Sequence, residues 1–309
     1  MHKTSNILVL GGNGMVGKTL ISKLKSQGYE NVYSPRSSHL NLLEQKEVRE
    51  VFATIEPSHI FFLAAKVGGI MANISSPAVF GYENLMMQNN VIQSAHEMKV
   101  KKLLFMGSSC IYPRECPQPM KEEYLLTGPV EPTNEMYALA KIAGLKLCAA
   151  YKKQYNDNFI SCMPCNLYGQ NDNFDLKTSH VMSGLIRKFH EAKIEKKEFV
   201  QCLGTGSARR EFLHVEDVAD ACIFLMHNYD NSEHINVGSG TDCTIKELSE
   251  TIKRIVGYTG EIHWDSSRPD GMPRKIMDVT KLANLGWKSK ISLEDGIIKT
   301  YNWFKENIK

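Results

Sequence analysis

Ile7-Leu-Val-Leu10-Gly11-Gly-Asn-Gly14-Met-Val-Gly17 is the stretch on which the fold of this chain turns. Four apolar residues run straight into spaced glycines, and an amphipathic stretch from Lys18 to Gln27 follows. That order reads as a buried strand, a tight turn and a helix. Backbone without Cβ atoms can approach a pyrophosphate, whose charge meets the free N–H groups at the helix N-terminus. The spacing is GxxGxxG rather than the more familiar GxGxxG, and with a strand before it and a helix after it, it predicts dinucleotide binding at Gly11, Gly14 and Gly17.

The same rhythm continues outward. Asn31 to Tyr33, His59 to Ala64, Lys102 to Met106 and Asn158 to Met163 read as strands, with helix-like stretches such as Gln45 to Thr54 between them. The expected fold is α/β, a Rossmann-type doubly wound parallel sheet. From about Gly169 the pattern changes. A polar loop leads into a helix from Val181 to Ala192, further apolar runs lie at Glu198 to Leu203 and His234 to Val237, and Thr244-Ile-Lys-Glu247 is a capping box for a helix reaching Val256. A last helix is expected from Leu293 to Asn307. Residues 1–168 are therefore expected to form the dinucleotide-binding Rossmann domain, with later segments returning to it, and residues 169–309 mainly a smaller α/β substrate domain.

The 309 residues are 42% hydrophobic and 23% charged, with a formal net charge of +3. This composition suits a globular protein and gives no basis for nucleic-acid binding; a small anionic substrate fits better. Ile7 to Leu10 is far too short an apolar run for a signal peptide or membrane span, so a cytoplasmic protein is expected. The eight cysteines show no secreted-framework spacing. Cys162-Met-Pro-Cys165 is a CxxC, but it ends a strand-like run, where residues three apart face opposite sides. Two structural cysteines and no metal site are expected.

The second strand ends in Tyr33-Ser-Pro-Arg36, where a carboxylate would accept hydrogen bonds from an unmodified ribose. Arg36 instead favours the 2′-phosphate of NADP. Farther on, Ser108-Ser-Cys110-Ile-Tyr-Pro113 precedes Tyr137 and Lys141, which stand one helical turn apart. A phenol that titrates near pH ~10 needs help to exchange a proton at neutral pH. Lys141 is expected to lower that pKa, Tyr137 to protonate a carbonyl oxygen, and Ser108 to hydrogen-bond the same oxygen. If the segment stays extended, Cys110 shares a face with Ser108. Its thiolate would then remove a proton beside the carbonyl, the oxyanion being held by Tyr137 and Ser108.

Taken together these residues resemble the extended short-chain dehydrogenase/reductases and, within them, the GDP-L-fucose synthases, which epimerise carbons 3 and 5 and reduce carbon 4 of GDP-4-keto-6-deoxy-mannose. The likeness runs through GxxGMVG, Ala64-Ala-Lys-Val-Gly-Gly69, SSCIYP, Glu131-Pro-Thr-Asn134 with YxxxK, Asn166-Leu-Tyr-Gly169, Asp172-Asn-Phe174, Ser179-His-Val181, Arg210-Glu-Phe-Leu-His-Val215 and Pro269-Asp-Gly-Met-Pro-Arg-Lys275. It implies a reductive triad of Ser108, Tyr137 and Lys141, with Cys110 as epimerisation base and His180 as its acid partner. It also implies cofactor contacts from Met15, Val16, Leu42, Ala64, Lys141, Asn166, Leu167 and His180, and nucleotide-sugar contacts from Lys188, Leu203, Arg210 and Asp270. Members of the family are commonly homodimers through two helices per subunit, one of them bearing YxxxK.

Departures from the family pattern are specific. Asn13 replaces an arginine thought to help hold the NADP phosphate, and Leu203 replaces a tryptophan that borders the sugar nucleotide. Met136 and Gln170 stand where proline is usual, Cys165 where threonine is, and Lys188 where arginine is. The leading expectation is an NADPH-dependent 3,5-epimerase/4-reductase acting on a GDP-4-keto-6-deoxy sugar, with GDP-L-fucose as product. The rivals are a carbon 4 reductase without epimerisation or acting on a GDP-4-keto-6-deoxy-heptose, and, in another class, a non-catalytic nucleotide-binding sensor. A dehydratase fits less well, because Ser109-Cys110 stands where such enzymes usually place an acidic residue.

Overall fold

The computed structural model describes residues 1–176, 178–267 and 270–308. Strand β1 (Ile7–Leu10), helix α1 (Met15–Ser26), β2 (Val32–Tyr33), α2 (Gln45–Ile55) and β3 (His59–Phe62) alternate as the sequence pattern predicts. There follow α3 (Ile70–Ser75), α4 (Pro77–Glu97), β4 (Lys102–Met106), α5 (Glu135–Tyr155) and β5 (Phe159–Pro164). Every residue of β1, β3, β4 and β5 is buried, as befits a parallel sheet covered on both faces by helices.

The rest of the chain comprises β6 (Asn166–Tyr168), α6 (Val181–Ile194), β7 (Phe199–Leu203), β8 (Arg209–His214), α7 (Val215–Asn228), β9 (Ile235–Val237) and β10 (Asp242–Thr244). It ends with α8 (Ile245–Val256), β11 (Glu261–Asp265), β12 (Arg274–Lys275), α9 (Thr280–Asn284) and α10 (Leu293–Asn307). The main sheet runs in the order β2-β1-β3-β4-β5-β9, all parallel. Strand order reverses between β1 and β3. In sheets of this kind ligands bind at that switch point, beyond the carboxyl ends of the strands.

A smaller sheet is built around β8, flanked by β10 on one edge and β12 on the other, with β6 also paired to it. Its apolar partners form a second core, to which α6 gives Leu185, Ile186 and Phe189, α8 gives Leu248 and Ile252, and α10 gives Phe304. The first core lies under the main sheet and reclaims Val215 and Val218 of α7, Ile235 and Val237 of β9, and Leu282 of α9. The capping box at α8 is present, with Thr244 and Glu247 bonded reciprocally. All eight cysteines are free thiols. The Cys162 thiol lies against the Cys222 thiol of α7 while Cys165 donates to the Asn166 carbonyl at 3.8 Å, so the CxxC pair has two different neighbourhoods. No helix among the described residues is long and apolar enough to cross a membrane.

Candidate active site

The glycine turn sits at the switch point, and its glycines divide into two kinds. A Cβ on Gly11, whose φ is +91°, would lie 2.7 Å from the Ala64 backbone nitrogen, just past β3. One on Gly12 would lie 1.9 Å from Ser34 Oγ, and one on Gly17 2.2 Å from the Gly11 carbonyl. These three let the turn close against its surroundings. Gly14 differs, since its Cβ would meet nothing nearer than the Gly11 carbonyl at 3.4 Å. Open space therefore lies at the start of α1, which has neither a side-chain cap nor an acidic residue in its first turn. That positive helix end fits a pyrophosphate.

Met15, Val16, Leu42, Ala64 and Leu167 are partly buried apolar residues packed along the edge of the first core. Asn166 donates its amide to the Glu211 carbonyl at 2.7 Å, which ties β6 to β8. Arg36 is exposed beyond β2. Its backbone carbonyl accepts from His39 and Leu40, closing the turn that presents it.

The chemical cluster forms where β4 ends and α5 begins. Here the structure corrects one expectation. Ser109–Ile111 is a turn of 3-10 helix, not extended chain, and Ser108 caps it by accepting from the Cys110 N–H at 3.4 Å. Ser and Cys are brought together by the cap rather than by strand alternation. The same Ser108 hydroxyl lies near enough to the Cys110 thiol and the Tyr137 phenol to favour the charged form of each. Tyr137 is further fixed by Phe80, whose ring meets it edge-on at 6.4 Å.

Burial governs the titration of all three groups. It pushes the Tyr137 phenol well above its usual range; the neighbouring Cys110 adds to this, and only the Ser108 hydrogen bond opposes it. Burial likewise raises Cys110, against the pull of Lys275, Ser108 and Lys141. Lys141 is lowered from 10.5 to about 8 by burial. Lys141 Nζ donates to the Met106 carbonyl at 2.8 Å and stands 5.9 Å from the Tyr137 ring centre. The ammonium rests on the carbonyl that ends β4.

His180 is the N-cap residue of α6, and its side chain is exposed. Its charge acts on the half-buried Asp172, one of whose carboxyl oxygens is enclosed without a hydrogen bond. None of the interactions described joins His180 to Ser108, Cys110 or Tyr137.

On the smaller sheet, Arg210 of β8 donates to the Arg209 and Met272 carbonyls and is drawn toward Asp270. Asp270 accepts from the Thr205 N–H at 2.7 Å and from the Thr205 and Ser207 hydroxyls, so its carboxylate first of all closes the Gly204-Thr-Gly206 turn. Lys188 reaches the Gln201 carbonyl at 3.4 Å, and Leu203 at the end of β7 is 63% exposed. Pro269 lies outside the described residues. Three contributors had no sequence assignment. Gly12 falls between the counted glycines, and Glu211 and Lys275 sit inside matched motifs whose chemistry only the strand register shows.

A parallel sheet with a glycine cradle at its switch point, and a phenol and an ammonium one helical turn apart at its edge, define the short-chain dehydrogenase/reductase class. Within that class the chain belongs to the NAD dependent epimerase/dehydratase family, whose pattern matches residues 7–238. It is 54% identical to the putative GDP-L-fucose synthase 2 of Arabidopsis thaliana, with 100% of this chain and 94% of that one covered. The GDP-L-fucose synthase of Escherichia coli K12 is 48% identical, with 97% of both chains covered. Among solved structures, the GDP-mannoheptose C4 reductase of Campylobacter jejuni with NADP bound superposes with a TM-score of 0.93 at 39% identity, over 99% of each chain.

Proposed function

We propose that this protein is an NADPH-dependent enzyme that epimerises carbons 3 and 5 of a GDP-4-keto-6-deoxy sugar and reduces carbon 4, giving GDP-L-fucose. The observation that carries the reading is the enclosed cluster in which one Ser108 hydroxyl serves both Tyr137 and Cys110. A proton donor and a potential base then face a single carbonyl, in a chain about as similar to GDP-L-fucose synthases from a plant and a bacterium.

Bound NADPH supplies the hydride. Gly14 and the N-terminus of α1 would hold its pyrophosphate on the turn that Gly11 and Gly17 let close, with Met15, Val16, Leu42, Ala64, Asn166, Leu167 and His180 lining it and Arg36 receiving the 2′-phosphate. In epimerisation the Cys110 thiolate takes the proton from carbon 3 or 5, the C–H electron pair moves onto the carbonyl oxygen, and Ser108 and Tyr137 hold that oxyanion. His180 returns a proton to the opposite face of the carbon. In reduction Tyr137 donates its proton to the carbonyl oxygen, and Lys141, freed from the Met106 carbonyl, supports the resulting phenolate. Lys188, Arg210 and Asp270 receive the GDP moiety. The protein acts in the cytoplasm as a homodimer through α4 and α5, a reading supported by the exposed Val79, Tyr82 and Leu139 on those helices.

The test measures NADPH oxidation on GDP-4-keto-6-deoxy-mannose and, separately, solvent deuterium entering carbons 3 and 5 without NADPH. Both should occur, and Cys110→Ala should lose the exchange by at least about 100-fold. A second reading, carbon 4 reduction of a GDP-4-keto-6-deoxy-heptose, is favoured by the exposed Leu203 where a bulkier indole is usual. Reduction without exchange, or faster turnover of the heptose, would replace the first reading with this one.

A further inference from the structure

The 3-10 turn that carries Cys110 holds itself together poorly. Its two internal hydrogen bonds, from the Cys110 N–H to Ser108 Oγ and from the Ile111 N–H to the Ser108 carbonyl, are 3.4 and 3.3 Å long, beyond the usual range for N–H donors. Its shape is set from outside. Tyr112, the residue that ends the turn, is buried, and its hydroxyl reaches Asn236 of β9, 124 residues further along the chain.

Each proton at that meeting point has one place to be. The fully buried Asn236 donates both side-chain N–H groups, to the Met120 carbonyl at 2.9 Å and to the Asp278 carbonyl at 3.1 Å. Its Oδ1 is thereby turned to accept, and the Tyr112 hydroxyl donates to it at 2.5 Å. The other partner of that hydroxyl, Nε2 of the buried His234 at 3.0 Å, is then the donor. Burial lowers His234 to about 4, so the ring is neutral and carries its proton on Nε2. The phenol is held between one fixed donor and one fixed acceptor.

The chain that follows the turn is strapped down by the same residues. The Asn236 N–H goes to Glu122 Oε1 at 3.0 Å, the Met120 N–H to the Ile276 carbonyl at 2.8 Å, and the Asp278 N–H to the Met120 carbonyl at 2.8 Å. The stretch from Tyr112 to Glu122 is thus pinned between β9 and the segment after β12. The reductive residues are placed by other elements, Ser108 by the end of β4 and Tyr137 and Lys141 by α5.

We propose that Tyr112, held by Asn236 and His234, is a positioning residue that keeps the Cys110 turn in place, so that the thiol stays within reach of carbons 3 and 5 of the sugar. This rests on the reading of Cys110 as the epimerisation base. Misplacing a reacting group by a fraction of an ångström slows its step, whereas hydride transfer does not use the thiol. Loss of the tether should therefore cost inversion and spare reduction.

The experiment uses Tyr112→Phe in the full-length protein, which keeps the ring in the core and removes only the hydroxyl. Deuterium entering carbons 3 and 5 is measured relative to NADPH oxidation on GDP-4-keto-6-deoxy-mannose, and amide hydrogen exchange of residues 108–112 is followed by mass spectrometry. The ratio of sugar exchange to reduction should fall about tenfold, with more of the product reduced without inversion. The amides of the turn should exchange about tenfold faster, while those of β4 and α5 stay as in the wild type. His234→Leu should act in the same direction, and His234→Gln, whose amide offers a donor near the position of Nε2, should keep both readings close to wild type. An unchanged ratio overturns the proposal whatever the amides do. So does faster amide exchange spread over β4 and α5, which would make Tyr112 a general prop of the large sheet. If the turn loosens but the unmutated enzyme takes up no deuterium, the tether stands and the role of Cys110 as base is what has failed.

Discussion

The cluster at the end of β4 and the surface around β7 behave as opposite environments. Cys110 and Lys141 are buried, Ser108 and Tyr137 are half-buried beside them, and desolvation displaces the titration of the thiol, the phenol and the ammonium. Leu203 stands open to water, and the half-buried Asp270 is shaped mainly by hydrogen bonds to the turn that it closes. Proton transfer needs a site where charge is poorly screened, whereas discrimination between sugars needs only shape and hydrogen bonds at the rim. Changes in the first region should therefore alter rates by orders of magnitude, and changes in the second should alter substrate preference.

The largest effect expected is that of Tyr137→Phe, which removes the proton donor while keeping the ring against Phe80. Reduction measured by NADPH oxidation should fall by about 10²–10⁴-fold. Near-normal turnover would move the acid elsewhere and break the comparison at its strongest point. Next comes the glycine turn. Gly17→Ala forces a Cβ against the Gly11 carbonyl at 2.2 Å and should lower stability by about 1–3 kcal/mol, read as a fall in denaturation midpoint. Gly14→Ala, with 3.4 Å to its nearest neighbour, should leave the midpoint almost unchanged and weaken NADPH binding measured by titration. Equal midpoints for the two variants would contradict the division between packing and ligand glycines.

The pH profile sharpens the comparison further. Lys141 titrates at about 8 because burial disfavours its ammonium. The charged form is present below that pH and lost above it, so the reductive rate should decline on the alkaline side of about 8, approaching tenfold per unit. A rate that is flat to pH 10 would show that cofactor binding restores the lysine to its ordinary range. The smallest effect belongs to the exposed rim. Leu203→Trp should shift relative KM between hexose and heptose substrates by only a few-fold, roughly 1 kcal/mol, with no change in the Tyr137-dependent step. A change in turnover rate comparable with that of Tyr137→Phe would erase the distinction between the two regions.

The sequence carried the frame of the large sheet well, because β1, β3, β4 and β5 are short continuous apolar runs with helices between them. α4 was harder to see. Asn84, Gln88, Asn90 and Ser94 are all buried along it, so polar residues interrupt the face that periodicity would reveal. Ser108, Tyr137 and Lys141 were legible from spacing alone, yet their contacts were not. A three-residue 3-10 turn has no periodic signature, and whether Lys141 rests on Tyr137 or on the Met106 carbonyl depends on where β4 ends. Lys275 was hidden for a related reason. A two-residue strand leaves no pattern, and its pairing with Arg210 of β8 shows only in the register. His180 was identified through the family likeness; the structure puts it at the mouth of α6, exposed and beside Asp172.

The route of the chain through its two cores carries a consequence for how such enzymes diversify. After β5 the backbone leaves the large core, returns with α7 and β9, departs again through β10 and α8, comes back with α9 and leaves once more as α10. The part of the chain built around β8 is thus not a detachable cassette. No single recombination point can exchange it for another, and a cut in the loop after β6 would leave two fragments each holding part of both cores. A changed preference is then reached more simply by substitution in place than by exchange of a whole segment.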